Sequence, residues 1–325
     1  MANHLSTTNW VNDMNTLICG SMAYDTIMVF KDQFKNHILP EQLHILNVAF
    51  LVPEMRREYG GCAGNIAYNL QLLGGNPLIM ATVGEDFAPY ARRLEKLSIT
   101  QKHIRHMPDS FTGQAFITTD LDDNQITAFH PGAMGFSEQN KVADAAGVTL
   151  GIVSPDGRTG MMEHAEQFVE AGVPFVFDPG QGMPMFSGPD LLRFIDQATY
   201  VTVNDYEGKM LEEKTGKTLM EIARSVAALI VTLGADGSMI YTEGREIKIP
   251  TPKPAAIVDP TGCGDAYRAG LMYGIQQGWA WETTGRLASL MGSIKIASRG
   301  GQNHAPTRRE IEAQFEQHFG FGITL

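Results

Sequence analysis

The sequence predicts an α/β protein built on a doubly wound, mostly parallel sheet flanked by helices, with a small β-sheet lid. From residue 150 onward, short apolar runs alternate with amphipathic helical patterns, which is typical of parallel strands joined by helical crossovers. Residues 26–59 and 112–131 instead hold short β-like pieces broken by polar turns, with no sustained helical period. We interpret these two regions as excursions that form one lid over a single domain spanning residues 1–325.

The main sheet is predicted from apolar runs bounded by turn residues, and the helices from apolar positions spaced three and four apart. The first strand ends in Gly20, and Gly74 and Gly75 close the first helix. The predicted strands are 16–20, 77–83, 150–154, 174–178, 200–204, 229–233 and 238–241, and the predicted helices are 66–74, 86–97, 159–171, 189–197, 205–215, 218–227, 265–277, 282–298 and 307–319.

The lid is predicted from weaker patterns. Its first excursion contains strand-like pieces at 27–30 and 45–52. Its second contains two runs, 114–119 and 125–130, and the Asp-rich and Asn-containing segment 120–124 between them suits a hairpin turn.

Composition excludes several classes of protein. A formal net charge of -11 argues against wrapping nucleic acid. No apolar run approaches the roughly 18 residues that a membrane span needs. Cys19, Cys62 and Cys263 are odd in number and far apart, which favours reduced thiols, and the polar first fifteen residues predict no signal peptide. These features predict a cytoplasmic protein that binds neither nucleic acid nor a membrane.

The stretch 258–270 carries the strongest chemical signal. Gly262, Cys263 and Gly264 precede a predicted helix, so several backbone N–H groups can point at one spot beside the positive end of the helix dipole. Such a spot favours an anion. Asp265 at this helix terminus has two readings: an N-cap, or a base that takes a proton from a hydroxyl while the amides hold a phosphoryl group.

A second glycine-rich turn lies at 60–65. Gly60 and Gly61 allow close approach of the backbone to a ligand, and Asn65 can donate and accept hydrogen bonds in the first turn of the following helix. An ordinary tight turn explains these glycines equally well. Asp25, placed just past the first predicted strand, is likewise either a ligand group or a loop residue.

Further polar groups follow other predicted strands, and singly each fits ordinary turn chemistry. Together they indicate one crevice at the carboxyl ends of the strands, which is an active-site pattern. A Gly-Lys-Thr at 216–218 lacks the upstream glycine of a P-loop and follows a helix, so we discard it. The polar groups in question are Asp178, the segment 204–207 and the segment 232–237.

Four motifs together resemble the ribokinase, or PfkB, family of carbohydrate and nucleoside kinases. Asp259-Pro260-Thr261-Gly262-Cys263-Gly264-Asp265 resembles the C-terminal signature of the family. The segment 60–65 resembles its N-terminal glycine signature, 204–207 its N-x-x-E element, and 232–237 its T-x-G-x-x-G nucleotide loop. The order and separation of these motifs fit over essentially the whole chain, which implies a ribokinase-like fold.

The resemblance implies a role for each motif. Asp265 would be the general base, and the amides of Gly262, Cys263 and Gly264 would hold the moving phosphoryl group. ATP would be bound with Mg²⁺, and this chain could also use a monovalent cation, K⁺, on which some relatives depend. The implied substrate ligands are Asp25, Gly60, Gly61 and Asn65; the implied nucleotide ligands are Asn204, Thr232, Gly234, Gly237 and, by a looser match, Asn303; and Glu207 would organise Mg²⁺ through water.

The substrate is inferred from further segments of the chain. The segments 18–25, 129–134 and 177–182 resemble bacterial adenosine and broad nucleoside kinases, which implies phosphorylation of adenosine to AMP at the ribose 5′-hydroxyl. Phe116 and Phe129 in the lid could stack on a purine, or could form the lid's own small core. Gln114 and His130 could instead contact a free sugar. Ribose or another furanose is therefore the alternative substrate, and a non-catalytic nucleoside-binding protein is the remaining one.

Two features stay open. Cys263 occupies a position that is often Ala in the family; its thiol could have a lowered pKa beside the helix-terminal amides, or could simply fill space. The protein is expected to be a monomer, or a homodimer if an uncovered lid strand pairs with its copy.

Overall fold

The structure is a computed structural model that describes residues 14–38, 47–122 and 124–325. Its centre is a nine-stranded sheet, called here the large sheet, in the order β13-β12-β11-β10-β9-β8-β1-β4-β5. The strands pair in parallel except at β11–β12 and β12–β13, which are antiparallel. The strands of the large sheet are β1 (Asn15–Cys19), β4 (Asn76–Val83), β5 (Ile104–His106), β8 (Val148–Val153), β9 (Phe175–Phe177), β10 (Tyr200–Asn204), β11 (Ala228–Thr232), β12 (Ser238–Thr242) and β13 (Arg245–Ile249).

Helices cover both faces of the large sheet. Side chains alternate along each strand, so Ile18 and Ile152 face one hydrophobic core while Leu17 and Val153 face the other. The first core is completed by α1 (Cys62–Leu72), α2 (Ala88–Lys96), α7 (Cys263–Gln276), α8 (Trp281–Ile296) and α9 (Arg308–Phe319), and the second by α3 (Arg158–Glu170), α4 (Gly188–Gln197), α5 (Asp205–Thr215) and α6 (Leu219–Ala223).

A four-stranded sheet, called here the small sheet, has the order β3-β2-β6-β7. Its strands are β2 (Ala23–Val29), β3 (Glu54–Gly60), β6 (Gly113–Thr119) and β7 (Gln125–His130). It is antiparallel except for the β2–β6 pair. All six residues of the edge strand β7 are exposed, so the edge that could pair with another copy is uncovered in the single chain.

The predicted α/β architecture is confirmed, but several elements differ from the prediction. The piece predicted at 45–52 is wrong where the structure describes it, since 47–52 form no strand and the strand is β3; residues 45 and 46 lie outside the described residues. Asp25 lies inside β2, because the chain enters the small sheet at Ala23. The short strands β5 and β13 were missed, and α6 is shorter than the predicted 218–227.

The parallel strands β1, β4, β8, β9, β10 and β11 all end toward the same edge of the large sheet. A capping side chain starts α5 at this edge: Asn204, at the end of β10, accepts a hydrogen bond from the backbone N–H of Glu207. Loops at this edge therefore have fixed starting points. No helix among the described ranges has the length and apolar character of a membrane span.

Candidate active site

The turn that precedes α7 is fixed by Gly262. This residue has φ of 77°, in the left-handed region that glycine adopts without strain, and a Cβ there would lie 3.0 Å from Cα of Gly301. The helix begins at Cys263, so Asp265 lies in its first turn and is not the N-cap. The Oδ2 atom of Asp265 instead accepts a hydrogen bond of 2.8 Å from Nδ2 of Asn65. The N-cap reading of Asp265 is therefore wrong.

This turn separates two cavities. Gly262 and Asp265 line the first, which has a volume of about 800 Å³. Cys263 and Gly264 line the second, which has a volume of about 540 Å³. Consecutive residues of one helix terminus thus face two neighbouring spaces, and a group could pass from a molecule in one to a molecule in the other.

The first cavity begins at the junction of the two sheets. Asp25 of β2 lines it together with Gly61 and Asn65. Gly61 has φ of 84°, and a Cβ there would lie 2.5 Å from the carbonyl oxygen of Ser21, so only glycine fits. A Cβ on Gly60 would overlap the Asp25 carboxylate, so this glycine leaves room for that side chain.

The amide of Asn65 is held in one orientation by its neighbours. Its Oδ1 accepts a hydrogen bond of 3.1 Å from Nε2 of Gln302, which leaves Nδ2 to donate to Asp265. Gln302 is itself buried and also donates to the hydroxyl of Tyr90 at 2.6 Å. The position of Asp265 therefore depends on a hydrogen-bonded network that joins α1, α7 and the segment before α9.

The small sheet places one of its two predicted aromatics in the first cavity. Phe129 lines the cavity, whereas Phe116, Gln114 and His130 do not. Alternation explains this: Ala115, Ile117, Thr127 and Phe129 occupy one face of the β6–β7 hairpin, and the other three residues occupy the opposite face. Gln114 donates instead to Asp86 at 3.0 Å. The expectation that Phe116, Gln114 and His130 reach a ligand in this cavity does not fit this placement.

The second cavity contains most of the predicted nucleotide loop. Thr232, Gly234 and Gly237 line it. Gly237 has φ of 93°, and a Cβ there would overlap the carbonyl oxygen of Ile249. Asn303 lies elsewhere: its Nδ2 donates to Glu58 of β3 at 2.7 Å, and the residue is not part of the cavity wall.

Asn204 and Glu207 form a reciprocal cap at the start of α5. The side chain of Asn204 accepts from the N–H of Glu207 at 2.7 Å, and Oε2 of Glu207 accepts from the N–H of Asn204 at 2.8 Å. Oε2 of Glu207 also lies 4.0 Å from the guanidinium of Arg268. Burial raises the pKa of Glu207, although Arg268 opposes the shift.

Sequence reasoning did not assign a role to the buried pair of Arg268 and Asp178. Arg268 donates to both carboxylate oxygens of Asp178, at 3.0 and 2.9 Å, and both side chains are almost completely buried. Burial lowers the pKa of Arg268, but Asp178 outweighs this and raises it. From the sequence, Asp178 was identified only as one of several polar groups at strand ends. Arg268 follows Asp265 by three residues, so the two side chains are neighbours on α7.

Asp156 is another cavity residue that sequence reasoning missed. It follows β8, lines the first cavity, and its Oδ2 has no hydrogen-bond partner among the described residues. Burial raises its pKa to about 8. The rule that directed attention to Asp25, a carboxylate just past a strand at this edge of the sheet, would also have found Asp156.

The carboxylates of the first cavity have raised pKa values. Burial raises the pKa of Asp265 to about 7, against the opposing hydrogen bond from Asn65. Burial, together with the charges of Asp259 and Glu58, raises the pKa of Asp25 to about 6. Clustered acids with such shifts are typical of functional sites, and Asp265 has the proton affinity of a general base near neutral pH.

The thiol of Cys263 has the opposite property to the one considered from the sequence. Burial raises its pKa to about 11, although the nearby charge of Lys295 lowers it. The thiol is therefore protonated at neutral pH, and the reading of Cys263 as a small residue that fills space fits the structure better than the reactive one.

The family profile described as pfkB family carbohydrate kinase matches residues 27–308 of this chain. The chain belongs to the pfkB family of carbohydrate kinases. A nucleoside kinase of Methanocaldococcus jannaschii is 31% identical over 274 residues, which cover 84% of this chain and 90% of that protein. A ribokinase of Bacillus subtilis is 26% identical and covers 78% of this chain and 86% of its own length.

Two solved structures of a related kinase have the same fold as this chain. The nucleoside kinase of Burkholderia thailandensis, in complex with inosine, is 53% identical with a TM-score of 0.87 and covers 94% of this chain and 99% of its own. The same protein in complex with ADP-inosine is 54% identical with a TM-score of 0.84, covering 95% and 98%. The ribokinase-like fold predicted from the motifs is confirmed.

Proposed function

We propose that this protein is an ATP-dependent nucleoside kinase that phosphorylates the ribose 5′-hydroxyl, with Asp265 as the general base. The observation that carries the proposal is the position of the turn from Gly262 to Asp265 between the two cavities. The acceptor occupies the first cavity and ATP the second. The nucleoside kinases of M. jannaschii and B. thailandensis, similar over nearly the whole chain, support this assignment.

The residues act mainly by position and charge. Asp265 takes the proton from the 5′-hydroxyl, whose oxygen attacks the γ-phosphorus of ATP while the bond to the ADP oxygen breaks. The N–H groups of Gly262 and Gly264, at the positive end of the α7 dipole, stabilise negative charge on the transferred phosphoryl group. The N–H of Cys263 donates to the carbonyl oxygen of Pro260 at 3.1 Å and joins them once it releases that oxygen. Asn65 positions Asp265, and Asp25 accepts hydrogen bonds from the ribose hydroxyls. Phosphoryl transfer depends chiefly on such positioning.

Mg²⁺ accompanies ATP in this proposal. No group of three His, Cys, Asp or Glu side chains suited to a metal is found in the described parts of the chain. Glu207, whose Oε2 accepts from the backbone N–H of Asn204, would hold Mg²⁺ through water, and the phosphates of ATP would supply direct ligands. When bound, Mg²⁺ neutralises developing charge on the phosphates. Asn204 keeps Glu207 in place through the reciprocal cap.

The first cavity favours a nucleoside over a free pentose. Besides Asp25 and Asn65, its lining includes an apolar part, formed by Phe129, Met134 and Met185, and the polar side chains of Asp156 and Gln181. A flat base would be placed against the apolar side chains with its polar edge toward Asp156 and Gln181. A free ribose would leave this part empty. Adenosine remains our preferred substrate, with inosine as the first competitor because the B. thailandensis kinase has been solved with inosine.

The small sheet acts as the lid in this proposal. Only one of its faces lines the first cavity, and its edge strand β7 is exposed. Closure over the base would exclude water from the transferred phosphoryl group.

The test is ADP release from ATP and Mg²⁺ in separate reactions with adenosine, inosine, cytidine, ribose and fructose 6-phosphate. We expect turnover with a nucleoside that is at least tenfold more efficient than with either sugar. Turnover with ribose alone would keep the mechanism and overturn the substrate. Tight nucleoside binding without turnover, measured by calorimetry, would identify a binding protein instead.

A further inference from the structure

Lys295, near the end of α8, is fully buried, and its ammonium group is directed at backbone carbonyls. Its Nζ donates to the carbonyl oxygen of Asp259 at 2.7 Å and to that of Ser298 at 2.9 Å. Asp259 begins the turn that leads to Asp265, and Ser298 begins the segment that follows α8. One positive charge therefore joins the two segments that meet beneath the candidate active site.

These two segments also contact each other and the base. The N–H of Gly300 donates to Oδ2 of Asp259 at 2.8 Å. The same segment supplies Gln302, which orients Asn65, and Asn65 donates to Asp265. A displacement of this segment would therefore be transmitted to the base through two hydrogen bonds.

The environment of Nζ suits a cation. Carbonyl oxygens at the end of a helix carry partial negative charge. Burial lowers the pKa of Lys295, and the charge of the Asp259 carboxylate opposes that shift. Backbone carbonyls are also the ligands with which proteins replace the water shell of K⁺. A K⁺ ion at this junction would need the two carbonyl oxygens that Lys295 already uses, so the residues present do not fit a bound K⁺.

We propose that Lys295 is a positioning residue whose ammonium replaces a monovalent cation at the junction of the Asp259 turn and the Ser298 segment, so that the protein needs no K⁺. The inference concerns the site assigned in the proposed nucleoside kinase and rests on that function for its kinetic arm only. A lysine that merely caps α8 would stabilise the helix in any salt. If the ammonium instead replaces a cation, a small monovalent cation should restore the stability that is lost when Lys295 is replaced by an uncharged residue.

The experiment compares wild type, Lys295→Met and Lys248→Met in KCl, NH₄Cl and choline chloride at one ionic strength. Lys248 is an exposed lysine on β13, which makes it the matched control. The first readout is the melting temperature without substrates, which does not require that the protein be a kinase. We expect wild type and Lys248→Met to melt alike in all three salts. We expect Lys295→Met to melt lower in choline and to recover by several degrees in KCl or NH₄Cl.

The second readout is steady-state turnover. Wild type should vary less than twofold among the salts, whereas kcat of Lys295→Met should fall at least tenfold in choline and recover at least fivefold in KCl. A wild-type enzyme that K⁺ activates more than fivefold would overturn the proposal. So would a Lys295→Met variant whose melting temperature is equally low in every salt. If Lys295→Met does not fold, the wild-type comparison alone decides the question. If wild type melts alike in all three salts and Lys295→Met recovers in KCl, but no substrate is turned over, the result would contradict the proposed function and not the role of Lys295.

Discussion

The two sheets of this protein differ in how much of their surface is covered by other elements. The large sheet is covered by helices on both faces, and the groups around Asp265 lie at its carboxyl edge. The small sheet is covered on neither face to the same extent, and Phe116 and Phe129 on its opposite faces are 39% and 49% exposed. In the proposed kinase, this difference assigns the reacting groups to the large sheet and its helices, and the contacts to the nucleoside base to the small sheet.

The largest expected effect comes from replacing the proposed base, Asp265, at the start of the α7 helix that packs on the large sheet. Asp265→Asn keeps the hydrogen bond from Asn65 but cannot accept the hydroxyl proton, so we expect kcat to fall by about 10²–10⁴. The measurement is ADP release with the best nucleoside. A loss below tenfold would place the base elsewhere.

The control for Asp265→Asn is stability. The pKa of Asp265 in the folded protein, about 7, lies above its ordinary value, so the folded state binds this proton more tightly than the unfolded state. Above pH 7 the folded protein therefore holds a carboxylate that burial disfavours, and Asn removes that cost. We expect the melting temperature of Asp265→Asn at pH 8 to equal or exceed that of wild type. A lower value would mean that lost activity reflects unfolding.

The second prediction tests how much the buried ion pair of Arg268 and Asp178 contributes to the free energy of unfolding. Arg268→Met leaves the buried carboxylate of Asp178 without its partner, which we expect to cost about 3–5 kcal/mol in free energy of unfolding. The matched control is Arg193→Met, because Arg193 forms a surface ion pair with Glu166, and such pairs contribute about 0–1 kcal/mol. Urea titration measures both. The double variant Arg268→Met with Asp178→Leu should recover much of the loss; equal costs for Arg268→Met and Arg193→Met would contradict the assignment.

The third prediction compares the two faces of the small sheet. Phe129→Ala should raise KM for the nucleoside about tenfold, equivalent to ~1.4 kcal/mol, because it removes an aromatic surface from the first cavity. Phe116→Ala, on the opposite face, should change KM less than twofold. Equal effects would mean that the small sheet reorganises when substrate binds. KM for ribose, if measurable, should respond to neither.

The β6–β7 hairpin shows which features of the fold can be predicted from the sequence and which cannot. Period-two alternation places Phe116 and Phe129 on opposite faces once their register is known, since Phe116 pairs with Ala128 and Phe129 with Ala115. The sequence does not reveal which face lies over the large sheet, because that depends on how two sheets pack. The strand β3 was misplaced for a related reason: its residues Glu54–Gly60 are mostly charged and partly exposed, so they give no apolar pattern.

In the candidate site, too, local motifs were predicted from the sequence, whereas contacts between distant residues were not. The turn at 259–265 and the loop at 232–237 were predicted because all their residues are consecutive and glycine has a conformational role in each. The partners Asn65 for Asp265, Asp178 for Arg268, and Asp259 for Lys295 were not predicted. Each joins positions that are 36 to 200 residues apart, and only the packing of helices on the sheet brings them together.

The smallest expected effect is the pH dependence, which compares one carboxylate from each sheet. Asp265 of α7, the helix packed on the large sheet, has its pKa raised to about 7 and must be ionised to accept a proton. Asp25 of the small sheet has its pKa raised to about 6 and must be ionised to accept hydrogen bonds from the ribose hydroxyls. We expect kcat/KM to fall about twofold from pH 8 to pH 7, with unit slope in its logarithm just below pH 7 and a slope approaching two below pH 6. Asp25→Asn should lose the second limb and keep the first. A flat profile between pH 6 and 8 would show that neither carboxylate titrates in the free enzyme. A single limb retained in Asp25→Asn would assign the higher pKa to Asp265.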